Sequence, residues 1–169
     1  MESDRYFELL DRLDELMATP PWTEQADAQA RTVLTKRVRH DYKRLARRVV
    51  AVDDAHDADE RAALLHEVRK AAKRTRYAAE PLAGLYGKKA KRFVRAMKRI
   101  QSLLGENHDS NVARKELQVL ADRAVAVGQD SFTFGVLHTR EETTAKETHD
   151  EFAAAWRRAS DKTLRGWLS

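Results

Sequence analysis

Residues 65–77 read LHEVRKAAKRTRY, and this stretch predicts both a fold and a surface property. On an α-helix, at about 100° per residue, its apolar and basic residues separate onto opposite sides. The apolar side, extended by its neighbours in the chain, consists of Leu64, Val68, Ala71, Ala72, Thr75, Ala79 and Leu82. The other side consists of His66, Arg69, Lys70, Lys73 and Tyr77. The pattern predicts an amphipathic helix that presents its cations to an anion.

Cationic residues are concentrated in the middle of the chain. From Lys36 to Arg99 there are 20 Lys and Arg residues against eight Asp and Glu, whereas the remainder has 12 against 19. The net charge of +5 therefore hides a basic segment between acidic flanks. This distribution favours a localised binding site for a polyanion over a uniformly basic surface.

The composition is typical of an all-α protein. The chain has 169 residues, enough for one domain, and 35% of them are charged, with only six Gly and three Pro. No segment approaches the ~20 uncharged apolar residues of a membrane span. The absence of cysteine excludes disulfides and thiolate metal ligands, and the opening residues MESD do not resemble a secretory signal. We expect a cytoplasmic protein that does not associate with membranes.

The apolar spacing predicts an antiparallel bundle of long helices with a basic concave face. The approximate bounds of the six helices are Asp4–Met17, Glu24–Val52, Ala58–Leu85, Lys88–Leu104, Asp109–Val127 and Ser131–Ala159. Pro20 and Pro21 should end the first helix, and Pro81 should kink or end the third. Gly105 is expected to end the fourth helix, and Asp109 to cap the fifth.

Large apolar side chains of these helices are expected to form the core. On the first helix they are Tyr6, Leu9, Leu10, Leu13 and Leu16 or Met17. On the second helix they are Leu34, Val38, Tyr42, Leu45, Val49 and Val52. Phe132, Phe134, Leu137, Phe152 and Trp156 should anchor the sixth helix, while Leu164, Trp167 and Leu168 should hold a short tail.

Three consecutive helices, the second to the fourth, oppose an apolar stripe with a basic face. The basic residues outside the opening stretch are Lys36, His40, Lys43 and Arg47 on the second helix and Arg95, Lys98 and Arg99 on the fourth. Phosphate is the expected ligand, because guanidinium groups match its oxygens with paired donors and lysine adds a mobile charge. The row from His66 to Tyr77 spans ~16 Å at ~1.5 Å per residue, which suits a chain of phosphates better than one.

Nucleic acid is the main alternative ligand, since it is also a polyphosphate. Few aromatic residues lie in the basic segment, and two of them, Tyr42 and Phe93, fall on apolar stripes. Little surface is left for base stacking, and Asn and Gln, the usual readers of base edges, are almost absent from the basic rows. The pattern therefore favours a plain phosphate polymer, with sequence-independent nucleic-acid binding as the second hypothesis.

An enzymatic role is a third hypothesis, suggested by the His108-Asp109 pair. Metal-dependent phosphohydrolases of the HD class use such a pair with further His and Asp ligands. The helices that would have to complete the site bring cations instead, and no Gly-rich phosphate loop precedes a helix. We expect no catalysis, no metal and no cofactor.

Two motifs resemble the CHAD family, the conserved-histidine α-helical domain. Residues 65–77 resemble the signature helix of that family almost position by position. Residues 100–109, which read IQSLLGENHD and are followed by Val112 and Ala113, resemble its second motif. The first motif is specific to the family, and the second is moderately so.

The resemblance implies a helical bundle built from two similar four-helix halves around a basic surface that binds inorganic polyphosphate. Some family members are fused to a triphosphatase domain. By this resemblance the ligand-facing residues are His66, Arg69, Lys70, Lys73, Arg74, Arg76, Tyr77, Arg95, Lys98 and Arg99. The row of Lys36, His40, Lys43 and Arg47 matches the family by its charge and place, and His108 is a further candidate.

The resemblance also implies that the chain covers little more than the second half of such a domain. Residues 1–22 are similar to the end of the first half, and residues 23–169 to the second half. Two explanations stay open: a fragment, or a short member that completes its basin by pairing as a homodimer.

Overall fold

A computed structural model describes residues 3–168, apart from the side chain of Gln25. The chain divides into two compact units, Met1–Val33 and Leu34–Ser169. Between Ser3 and Leu168 every regular element is helical and no strand is present. The all-α fold class is confirmed. The division of the domain at residue 22 stays a prediction.

The first unit contains helix α1 (Asp4–Ala18), a 3-10 turn (Glu24–Asp27) and the start of helix α2. The bounds predicted for α1 are confirmed, but its inward packing is wrong, because none of its residues is buried. Tyr6 is 50% exposed and Leu13 is 46% exposed. Periodicity shows which residues share a side of a helix, and it does not show whether another apolar surface covers that side.

The second unit contains the remaining helices. They are α2 (Ala30–Ala51, which enters this unit at Leu34), α3 (Ala58–Ala79), α4 (Ala83–Tyr86), α5 (Lys88–Ala126), α6 (Phe132–Ala159) and α7 (Lys162–Arg165). Two 3-10 turns, Glu80–Leu82 and Gly166–Leu168, complete it. The predicted start of the second helix at Glu24 is wrong, because a separate 3-10 turn lies there and α2 begins at Ala30.

Helix α3 has the start and the buried side that its sequence predicts, but it ends at Ala79 and not at the predicted Leu85. The Asp57 side chain accepts a hydrogen bond from the backbone N–H of Glu60 at 2.8 Å, which caps the first turn. At the other end, Pro81 lies in the 3-10 turn that follows Ala79. The predicted apolar residues Val68, Ala71, Ala72, Thr75, Ala79 and Leu82 are buried, and Leu64 is half-buried.

Helix α5 is one continuous helix of 39 residues, so the predicted break at Gly105 is wrong. Asp109 caps nothing, because it lies within this helix. Gly105 is buried, and only Gly87 and Gly128 among the described glycines adopt a positive φ. Gly128, with φ 73°, follows the end of α5. It is therefore this glycine, and not Gly105, that lies at a helix end.

Helix α6 and the C-terminal tail pack against the other helices of this unit. The Asn107 side chain on α5 donates to the Ala145 backbone carbonyl on α6 at 2.8 Å. Phe152 is buried as predicted, but Phe132 is 73% exposed, so its predicted role as an anchor is wrong. Trp167 and Leu168 are buried, which confirms the predicted tail contacts. Within residues 3–168, no helix combines the length and apolar composition that a membrane crossing requires.

Candidate anion-binding site

Helices α3 and α5 run antiparallel, and three contacts define their register. Lys115 Nζ donates to Asp59 Oδ1 at 2.9 Å. The ring centroids of His66 and His108 are 5.1 Å apart. A Cβ added to Gly105 would lie 3.3 Å from Arg69 Nε. Because the numbers rise along α3 as they fall along α5, these pairs belong to one line of contact, which we call the α3–α5 seam.

The register extends to the far end of α3. There Glu80 and Arg95 line the same small cavity. Since both helices rise by the same ~1.5 Å per residue, Lys73 lies level with Gln101, and Arg76 lies level with Lys98. The seam thus begins with an acid–base pair and continues into a stretch where both helices contribute cations. That stretch consists of His66, Arg69, Lys73, Arg76 and Lys98, and we call it the cationic stretch.

Few acidic residues are available to neutralise the cationic stretch. Between residues 61 and 105, the acids are Glu67 and Glu80. Glu80 Oε1 lies 3.3 Å from Arg76 Nε. Glu67 Oε1 accepts a hydrogen bond from Lys70 Nζ at 2.6 Å, and Glu67 Oε2 lies 3.2 Å from Arg48 Nη2. Both acids therefore already have partners.

The pKa of Glu67 is lowered by this environment. The hydrogen bond from Lys70 is the largest cause, and the positive charges of Lys70, Arg48 and His66 act in the same direction, against a smaller desolvation effect. A lowered pKa keeps Glu67 ionised throughout the neutral range. Glu67 therefore reduces the positive charge on the flank of α3 that faces Arg48.

Two buried nitrogen atoms of the seam have no partner. Within the described residues, Arg69 Nε and His66 Nδ1 are buried and make no hydrogen bond. An unsatisfied buried polar group costs about 1–3 kcal/mol, so native proteins rarely leave one without a function. Phosphate oxygens can accept from the Arg69 guanidinium and from an imidazole N–H. Both side chains lie on the side of α3 that faces α5.

Gly105 allows Arg69 to lie against α5. A side chain at position 105 would place its Cβ 3.3 Å from Arg69 Nε, so it could be accommodated only if the Arg69 guanidinium moved. Arg69 then borders a groove of 790 Å³ whose other charged lining residues are Glu106 and Asp109 on α5 and Arg140 and Glu141 on α6. Sequence analysis missed Gly105 as a positioning residue and Arg140 as a neighbour. The packing of α3, α5 and α6 brings these residues together, and a local sequence pattern does not predict that packing.

Tyr77 holds two cations beside an exposed ring. Its side chain is 49% exposed. The Arg76 guanidinium carbon lies 4.5 Å from the ring centroid, and Lys73 Nζ lies 5.7 Å from it. Cation–π contacts of this kind orient flexible basic side chains. Tyr77 therefore belongs with the cationic stretch, as its place in the sequence motif predicts.

The other predicted residues of α3 and α5 are exposed, and two of them form ion pairs. Lys70 is paired with Glu67, and Arg99 forms an ion pair with Glu151 of α6. Arg74, Arg95 and Lys98 are exposed to solvent. Lys70 is paired on the flank of α3 that carries Glu67, and Arg99 is paired with α6, so a shared site for all of the predicted α3 and α5 residues stays a prediction.

The predicted basic residues of α2 are exposed, and they lie in several different environments. Lys36, His40, Lys43 and Arg47 are all exposed. His40 Nδ1 lies 3.6 Å from Asp41 Oδ1. Lys43 lines a groove formed with the C-terminal tail. A shared site for this row and the cationic stretch stays a prediction. Arg48 of α2, which the sequence did not single out, makes an ion pair and a hydrogen bond with Glu67 of α3.

His108 and Asp109 lie on different sides of α5. His108 contacts His66 in the seam, whereas Asp109 lines the groove with Arg140. Adjacent residues of a helix diverge by about 100°, and here His108 and Asp109 lie toward different neighbouring helices. Among residues 3–168, no group of three or more His, Cys, Asp or Glu side chains is arranged to hold a metal.

Comparison with known proteins places the chain in a family. Residues 1–118 match the family model of the CHAD domain. Two uncharacterized proteins of Mycobacterium tuberculosis, from strains CDC 1551 / Oshkosh and ATCC 25618 / H37Rv, are each 34% identical over 167 residues. The alignments cover 98% of this chain and 31% of each relative, so the chain spans about a third of their length. No solved structure matches the chain. The chain belongs to the CHAD domain family.

Proposed function

We propose that this chain is a non-catalytic module that binds inorganic polyphosphate along the α3–α5 seam. One observation carries the proposal: two packed helices contribute cations to the same line of contact, where Glu67 and Glu80 are already paired. Arg69 and His66 add buried nitrogen atoms without partners. An external polyanion would neutralise the cations of the seam and accept hydrogen bonds from Arg69 and His66.

The length of the cationic stretch supports a polymeric ligand. His66 and Arg76 are ten residues apart, or ~15 Å along the helix at ~1.5 Å per residue. A single phosphate can contact only a few of these side chains at once, whereas a chain of phosphates can follow the seam. Lys73 and Lys98 are exposed, and their side chains would add contacts along it. Membership of the CHAD family agrees with a polyanionic ligand.

Sequence-independent binding of nucleic acid is the second candidate, and the exposed ring of Tyr77 favours it. Bases stack on exposed aromatic rings, and basic side chains beside the ring would hold the backbone. Tyr77 is one such ring beside two cations. A single ring offers a short platform, so we rank polyphosphate first. We further propose a cytoplasmic location, in keeping with a chain of 169 residues that contains no cysteine.

The double variant Arg69→Glu with Lys73→Glu tests the site. We expect it to lower affinity for long-chain polyphosphate by at least about 100-fold, because two attractive contacts become repulsive. Helicity measured by circular dichroism should not change. The matched control is Lys146→Glu with Arg157→Glu, which reverses the same charges at exposed positions of α6.

Unchanged polyphosphate binding in the double variant would refute the seam assignment. Equal losses in the double variant and its control would mean that net charge alone determines binding. Orthophosphate release from polyphosphate in the presence of Mg²⁺, lost on substitution of His108 or Asp109, would contradict the non-catalytic proposal.

A further inference from the structure

A second cluster of cations surrounds a groove between α2 and the C-terminal tail. The groove has a volume of 290 Å³ and is lined by Arg39, Tyr42, Lys43, Lys162, Arg165, Gly166 and Leu168. Four of these residues are basic and none is acidic. None of them belongs to the cationic stretch of the α3–α5 seam. The groove is therefore a separate feature of the second unit.

Packing fixes both arginines of this groove. Arg39 donates from Nε to the Leu168 carbonyl at 2.7 Å, and its Nη2 donates to the same oxygen. Arg165 lies over the Tyr42 ring at 4.6 Å and donates from Nη2 to the Ser160 carbonyl at 2.8 Å. Arg165 Nε is buried and has no hydrogen-bond partner among the described residues. The guanidinium groups are thus held in place before any ligand arrives.

The floor of the groove is apolar and firmly packed. Tyr42 is 5% exposed, and Leu168 is 4% exposed. The Tyr42 ring stacks on Trp156 with centroids 5.9 Å apart. Burial raises the pKa of Tyr42, and the charge of Arg165 offsets part of this rise, so the phenol stays neutral at physiological pH. The floor therefore adds no negative charge to the groove.

Lys43 and Lys162 provide mobile charge at the rim. Both side chains are exposed, on α2 and α7 respectively. Two fixed guanidinium groups and two mobile ammonium groups around an apolar floor form an amphiphilic site. Ligand pockets usually combine an apolar lining with a few polar groups, at volumes from about 300 Å³ upward. This groove, at 290 Å³, is large enough for a small molecule.

We propose that this groove binds a small phosphate monoester that carries an aryl or short alkyl group. Four cations favour a dianion over a singly charged carboxylate, and phosphate monoesters are dianionic near neutral pH. The apolar group would lie in the groove against the aliphatic stems of Arg39 and Lys43 and the exposed edges of Tyr42 and Leu168, and the phosphate would face the rim. This site does not depend on polyphosphate binding at the seam.

Calorimetric titration with three probes tests the proposal on the full chain. The probes are phenyl phosphate, inorganic phosphate and phenol, which separate the contributions of charge and apolar surface. We expect phenyl phosphate to bind at least about tenfold more tightly than either of the others. No binding, or equal affinity for phenyl phosphate and inorganic phosphate, would overturn the proposal.

The Lys162→Glu variant locates the binding. It should lower affinity for phenyl phosphate at least about fivefold, because an attractive rim charge becomes repulsive. Lys146→Glu, an exposed change on α6, is the matched control and should have no effect. Phenyl phosphate affinity that is the same in Lys162→Glu and in the unmodified chain would also overturn the proposal.

The seam variant Arg69→Glu with Lys73→Glu separates the two sites. It should bind phenyl phosphate like the unmodified chain, and Lys162→Glu should retain affinity for long-chain polyphosphate. Loss of phenyl phosphate binding in the seam variant would contradict a separate groove site. Each proposal can therefore fail without the other.

Discussion

The two ends of the α3–α5 seam share the same helix packing but differ in how their charges are paired. At one end, Lys115 of α5 meets Asp59 of α3 at 2.9 Å, and both charges are neutralised within the protein. Farther along, Arg69 passes over Gly105, and Arg76 lies level with Lys98. No acid separates these cations along the line of contact. The two ends differ in whether their charges are paired across the helices. The region open to an anionic ligand is therefore identified by its unpaired cations more than by the number of cations.

The largest expected difference between the two ends comes from single charge reversals. Lys73→Glu in the cationic stretch should lower polyphosphate affinity at least about tenfold. Lys115→Glu, in the neutralised end, should change it less than about twofold, and stability by no more than about 1 kcal/mol, because the Asp59–Lys115 pair is exposed. Binding titrations and thermal unfolding of both variants check this. Equal loss of affinity in the two variants would remove the distinction between the ends.

The Gly105→Ala variant sharpens the comparison by moving Arg69 without changing any charge. Alanine is favoured over glycine in a helix by about 1 kcal/mol, so we expect the unfolding temperature to rise. The added Cβ should displace the Arg69 guanidinium and lower polyphosphate affinity roughly threefold to tenfold, or about 0.7–1.4 kcal/mol. Calorimetric unfolding and titration measure the two effects separately. Higher stability with unchanged affinity would show that the position of Arg69 over Gly105 does not matter for binding.

The Glu67→Gln variant tests whether Glu67 weakens anion binding by neutralising part of the positive charge on α3. The variant frees Lys70 and Arg48 from their acidic partner, so affinity for polyphosphate should rise about twofold to threefold, with a steeper dependence on salt. Because the pKa of Glu67 is lowered, protonation should mimic this gain in the unmodified chain only below the usual range of a carboxyl group. Titrations at neutral and acidic pH check both statements. A decrease in affinity would mean that Glu67 orients the cations more than it neutralises them.

The smallest expected effect is that of Tyr77. Removing the ring in Tyr77→Ala should lower polyphosphate affinity about twofold, since the ring only orients Lys73 and Arg76. Tyr77→Phe keeps the ring and should behave like the unmodified chain. If RNA were the ligand, loss of a stacking platform would cost much more, about 1–3 kcal/mol per base. Parallel titrations with polyphosphate and RNA distinguish these cases.

Local signals predicted α3 well and α5 poorly. The buried side of α3 follows a helical period, and Pro81, which the sequence predicts as a kink or an end, lies in the turn after Ala79. Gly105 carries the same local signal as a helix end, but it lies inside a continuous helix because Arg69 needs the space. The reason for that glycine is a tertiary contact, so no local rule could assign it.

The candidate site was predictable as a set of residues but not as an arrangement. Charge patterning singled out the basic rows of α3 and α5, and the family resemblance added Arg74 and Arg76. The pairing of His66 with His108 depends on the register of two helices, which periodicity does not specify. The same limit explains Arg48 and Arg140, whose relevance comes from neighbouring helices.

Competition binding across a salt series tests the central claim most directly. Labelled long-chain polyphosphate on this protein is challenged with duplex DNA and with RNA at equal phosphate concentration. A shaped line of cations and buried donors predicts that polyphosphate remains preferred as salt rises, although every affinity falls. Equal competition by all three polymers at every salt concentration would contradict the account, because it would indicate only a diffuse cationic surface.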